Sequence, residues 1–180
     1  MTADLRLRLR KDTRVEHERV EAEFARLDLN DPVGLQCTVR AHARALARLL
    51  PSLAPLPEMR REAERLHALA LQAAEGITPD EAQPVPEGQT LHPLAVAYVI
   101  LGSRLGARVI AAELNRDNVR SRPKDFEYFV DDNSRPAWSA LLQLLDSCTD
   151  ATDLVVADAT AAFGVFGSEA RRAFEEMQRG

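Results

Sequence analysis

The stretch P-L-A-V-A-Y-V-I-L-G-S-R-L-G-A-R-V-I-A-A-E-L, residues 93–114, decides how the rest of the chain is read. It is the most apolar segment, a proline opens it, and it shows no period-two alternation of β-branched residues. It predicts a helix that is apolar around most of its circumference, and such a helix belongs at the centre of a fold. Two glycines, Gly102 and Gly106, lie one turn apart within it. Each costs about 1 kcal/mol relative to alanine in a helix interior. Two explanations stand. One is close packing against another backbone, which the residues alone favour. The other is a flat ligand lying where a Cβ would collide, with a kink beside Ser103 opening the helix over it.

The flanking segments carry the same helical period. A first helix is expected over Leu7–Leu27, because Thr13, His17, Val20, Phe24 and Leu27 share one face. Asn30 or Asp31 caps a second helix from Pro32 to Pro51, striped by Leu35, Val39, His42, Leu46 and Leu49. A third opens at Pro57 with Met59, Ala63, Leu66, Ala70 and Ala73 on one side, and Gly76 stops it. Residues 77–90, rich in proline, read as an extended surface connection. Residues 116–133 read as polar and irregular despite Phe126, Tyr128 and Phe129. Asn133 or Ser134 caps a fifth helix at Pro136 containing Trp138, Leu141, Leu142 and Leu145, and a last one runs over Asp150–Gln178. Leu154, Ala157, Ala161 and Phe163, or their neighbours, form its buried stripe. The expectation is an all-α, single-domain bundle of about six helices spanning residues 1–180.

Composition agrees. Hydrophobic residues make up 46% and aromatics only 5%, a mix that favours helix over sheet. With 23 basic and 28 acidic residues the charge is −5, so no general attraction to nucleic acid is expected. The opening L-R-L-R-L-R-K is locally basic and reads as a solvated entry to the first helix. Cys37 and Cys148 have no zinc-type spacing and read as reduced, buried thiols. No signal-peptide core and no apolar run near 18 residues is evident, so the expected setting is the cytoplasm, without a membrane.

For chemistry the chain offers four histidines. His42 lies squarely on the second-helix stripe and reads as a core residue with one hydrogen bond. His67 neighbours the third stripe, and His92 precedes Pro93, where capping or exposure is expected. His17 shares a face with Val20 and Phe24, compatible with the core or with an imidazole projecting into an apolar pocket. No two histidines fall at helical spacing, which excludes a multi-histidine site on one helix. One imidazole suffices for an iron already held by four porphyrin nitrogens. Nucleotide-binding loops, the G-x-S-x-G elbow and H-E-x-x-H are all missing.

Two stretches together resemble a known family. L-R-K-D-T-R-V-E-H-E-R-V-E, residues 9–21, is similar to the proximal helix of heme oxygenases, and G-S-R-L-G-A, residues 102–107, to the distal-helix motif of their bacterial branch. The segment around Trp138, A-W-S-A-L-L-Q-L-L-D, and A-T-A-A-F-G-V-F near the C-terminus agree in order and spacing. The resemblance implies that His17 is the axial ligand of heme iron, with Glu21 orienting its ring. Thr13 belongs to the same binding motif. Arg10 and Tyr98 would meet heme propionates, while Gly102, Ser103 and Gly106 would form the distal, catalytic wall. Phe163 and Phe166 would lie near the pocket. It further implies oxidative cleavage of heme to biliverdin, carbon monoxide and ferrous iron. That reaction needs O2 and an electron donor, a ferredoxin, a reductase or ascorbate. A sensor or carrier of the same fold that binds heme without cleaving it is the alternative. Ser103 stands where the mammalian branch has aspartate, and Ala107 where a further glycine is usual. Arg104 and Arg108 are expected to face solvent rather than a propionate.

Overall fold

The computed structural model describes residues 5–74, 90–117 and 123–179, and these are helical with short connections. In chain order the elements are α1 (Leu5–Asp12), α2 (Arg14–Phe24), α3 (Pro32–Leu49), a 3₁₀ turn (Leu50–Leu53), α4 (Pro57–Ala73), α5 (Pro93–Asp117), α6 (Pro123–Val130), α7 (Arg135–Ser147) and α8 (Thr152–Arg179). The all-α expectation holds, with eight α-helices among the described residues instead of six.

Two of the extra elements have identifiable causes. The expected first helix begins at Leu5, ends at Phe24 and is interrupted at Thr13. There the buried threonine hydroxyl donates to the Leu9 carbonyl at 2.6 Å, a back-bond that bends a helix. The segment expected to be irregular contains α6, because Tyr128 and Phe129 are wholly buried and hold its last turn against the core. Gly76, and all but Thr90 of the proline-rich connection at 77–90, lie outside the described residues. So do 118–122, and the side chains of Arg108 and Phe126.

Elsewhere the local signals act as anticipated. The Asp31 carboxylate accepts from Gly34 N at 3.1 Å and caps α3. His92 caps α5, its Nδ1 accepting from Leu94 N while its own N–H donates to Asp158 at 2.6 Å. Ser134 is the residue before α7, but its hydroxyl donates to Glu62 at 2.5 Å instead of capping. On α8 the buried stripe is Val155, Ala159, Ala162, Phe163 and Phe166, and Leu154 is exposed. Phe163 and the neighbours Val155 and Ala162 of the expected stripe are buried, while Ala157 and Ala161 are exposed. Cys37 is buried, Cys148 half-buried, and both are free thiols.

The central role expected of α5 is met: Ala95, Val96, Ala97, Val99, Ile100 and Leu101 are buried, and the helix packs on α6, α7 and α8. Contrary to expectation, Pro93–Ala112 is long and apolar enough to cross a membrane by length and composition. Helix α8 is the spine. Helices α2, α3 and α5 all lie against it, and α2 and α5 do not pack substantially on each other.

Candidate functional site

The helices α2 and α5 face a common support, α8, from separate positions. On α2, His17 is exposed, with its side chain 52% accessible. Its ring stands edge-on to Phe163 of α8, with centroids 5.4 Å apart and planes at 86°. One helical turn on, a Glu21 carboxylate oxygen lies 3.5 Å from His17 Nδ1. This fixes the ring between an aromatic wall and a carboxylate, and Nε2 has no partner among the described residues. Val20 lies beside Gly167 of α8, whose hypothetical Cβ would meet it at 3.5 Å. Helix α2 therefore seats closely on α8, and its histidine is left proud of the contact.

On α5 the two glycines differ. A Cβ at Gly102 would touch the Trp138 ring at 3.9 Å, an ordinary contact. A Cβ at Gly106 would meet nothing within 4 Å. Among the described residues no backbone crosses either position, so the helix-packing explanation of this pair finds no support there. Leu105 and Val109, on the same side, are largely exposed. The Ser103 hydroxyl donates to the Ile100 carbonyl at 2.7 Å, the back-bond expected of a bent helix.

Trp138 closes this region from α7. Its ring lies 6.0 Å from that of Tyr98, tilted by 35°. Burial pushes the Tyr98 phenol up, and the Arg10 guanidinium partly offsets this, so the end of α1 and the start of α5 share one electrostatic neighbourhood. Arg10 is exposed and has no carboxylate partner among the described residues.

Of the residues singled out from sequence, the structure brings together His17, Glu21 and Phe163 in one group. Gly102, Ser103 and Gly106 share α5 with Tyr98. Two go elsewhere. Thr13 is buried with its hydroxyl engaged on its own helix, so what it contributes is the bend before His17. Phe166 points into the core, 5.5 Å from the His42 ring.

Arg104 is a correction. It does not face solvent: it is 5% exposed, lies over the Tyr128 ring and donates to the carbonyls of Tyr128 and Asp131. His42 behaves as expected of a core histidine. Its Nδ1 is 2.9 Å from the Tyr128 hydroxyl, and burial, aided by Arg104, lowers its pKa to about 3. The Arg104–Tyr128–His42 connection is not legible in sequence, since it joins three helices; the only signal was a pair of aromatics in a polar segment.

A single imidazole free at one nitrogen is a one-donor site. Among the described residues no three His, Cys, Asp or Glu side chains converge to hold a bare ion. Comparison with protein-family models, with curated proteins and with solved structures found no match.

Proposed function

We propose that this protein binds heme between α2 and α5 and cleaves it oxidatively to biliverdin, carbon monoxide and ferrous iron. The observation that carries the reading is Gly106. It stands in the interior of a long helix at a cost of about 1 kcal/mol, and among the described residues no atom lies within 4 Å of the place its Cβ would take. That open face leaves room for a flat ligand to lie against the α5 backbone, which supports the reading. The fold is all-helical, and a heme-oxygenase-like arrangement is the finer reading we place on it.

The residues fit the group. His17 would hold the iron through Nε2, with Glu21 orienting the imidazole through Nδ1. Arg10, exposed and without a carboxylate partner among the described residues, would take a propionate carboxylate. Gly106 leaves α5 bare enough for a macrocycle to lie against its backbone, and Trp138, packed over Gly102, closes one side. With its proton donated to Ile100, the Ser103 hydroxyl is left as an acceptor for water or a polar ligand atom. Bound heme supplies the iron that activates O2 and the ring that is cleaved. Electrons come from an external donor, and the setting we infer is cytoplasmic.

Hemin titration is the test. The protein should form a one-to-one complex with a sharp Soret band, and His17→Ala should abolish or greatly weaken it. The single tryptophan, Trp138, lies 3.9 Å from the Cβ position of Gly102, so its fluorescence should be quenched in step. If hemin binds no better than to an unrelated protein, the reading fails. If it binds but ascorbate and O2 give no biliverdin spectrum, the protein is a heme sensor or carrier.

A further inference from the structure

Helices α2 and α5 carry the two faces of the candidate site yet do not pack substantially on each other. Their relative placement therefore has to be set through other elements. Helix α8 packs on both. A second connection runs behind it. Arg104 lies two residues from each of Gly102 and Gly106, which places it about 200° around α5 from both, on the back of the glycine face. There its guanidinium donates to the Tyr128 and Asp131 carbonyls and covers the Tyr128 ring, with the charge centre 4.7 Å from the ring centroid. The Tyr128 hydroxyl meets His42 Nδ1 of α3 at 2.9 Å. The His42 ring in turn lies 4.8 Å from that of Phe24, the last residue of α2 and two turns beyond His17. Four side chains thus link the back of α5 to the end of α2.

Arg104 is a costly choice for that position. Its Nε and Nη1 are buried without acceptors, and an apolar side chain of similar volume would avoid that penalty. What an apolar residue would lose is directional attachment of α5 to α6.

We propose that Arg104, Tyr128 and His42 are positioning residues: a buried brace that holds the glycine face of α5 at a fixed distance from α2. The brace rests on the heme reading only for the identity of what that distance fits.

The test separates the two. In full-length protein carrying Cys37→Ala and Cys148→Ser, spin labels are placed at the exposed positions Glu18 and Ala112, and the distance between α2 and α5 is measured. Tyr128→Phe removes only the hydroxyl, and Arg104→Met removes the attachment while keeping an apolar stem. Both should shift or broaden the distance distribution and weaken hemin binding, by about fivefold for Tyr128→Phe, the equivalent of one buried hydrogen bond. Val155→Ala, a core truncation remote from the brace, should lower stability and leave distance and affinity alone. An unchanged distance in both brace variants overturns the brace whatever hemin does, and so does an equal change in Val155→Ala. A changed distance with unchanged affinity overturns the claim that the brace positions the ligand. Wild-type protein that binds no hemin overturns the heme reading and leaves the distance result standing.

Discussion

Gly106 and Gly34 are both helical glycines, and the structure assigns them opposite reasons. At Gly34 a Cβ would stand 2.1 Å from the Asp28 carbonyl oxygen, a backbone atom that cannot swing aside. Gly34→Ala should destabilise the fold by about 2–3 kcal/mol, seen as a lowered midpoint in urea unfolding. At Gly106 a Cβ meets open space. Gly106→Ala should therefore stabilise the protein by about 1 kcal/mol in the same assay while weakening hemin binding; a variant that is both less stable and unchanged in binding would contradict the site. Sequence alone ranks these two glycines the other way. Gly34 follows a cap and draws no attention, while Gly106 sits in a motif that reads as packing. What distinguishes them is which chain segment passes by, and a helical period carries no information about that.

Among the elements, the α3–α8 pairing is held by charges as well as apolar contact. Arg44 meets Glu176 at 2.8 Å and Arg48 meets Glu169 at 2.8 Å, with Glu169 nearly inaccessible. Arg48→Ala would remove the close partner of the buried Glu169 carboxylate, leaving Arg172 at 3.9 Å. A loss of about 2 kcal/mol is expected, discounted because Arg48 is itself partly solvated, and Glu169→Gln in that background should recover part of it. Sequence reading places helices α3, α4, α5 and α7 nearly at their limits, because proline starts and apolar stripes are local signals. It misses α6, whose helicity depends on burying Tyr128 and Phe129 against other helices, and it continues the first helix through Thr13. It leaves the α8 stripe open between neighbouring residues, because alanines at 157, 159, 161 and 162 mark no preferred side until α3 and α5 choose one.

For the whole molecule, the buried His42 ties stability to pH. Its ordinary value is 6.5 and in the fold it is about 3, so between those limits the unfolded chain takes up a proton that the folded chain refuses. The contribution is fully present above about pH 6.5 and is lost as pH falls. At about 1.4 kcal/mol per pH unit, roughly 2 kcal/mol is lost by pH 5. His67, also held down by burial, acts in the same direction, while Asp131, Glu23 and Glu176, held low by arginines, act only at lower pH. Denaturant unfolding at pH 7.5 and pH 5 should show the loss, and His42→Gln should be weaker at pH 7.5 with a flatter pH slope. By itself the sequence determined the helical class, most helix starts and the central place of residues 93–114, because propensity, capping and periodicity act over one or two turns; His17, Gly102 and Gly106 were joined as candidates by a resemblance of motifs. Only the tertiary structure decided that His17 stands exposed beside Glu21 and Phe163, that Gly106 faces open space, and that Arg104 turns inward to Tyr128 and His42. Those outcomes depend on which helices meet across the core, and no local pattern encodes that.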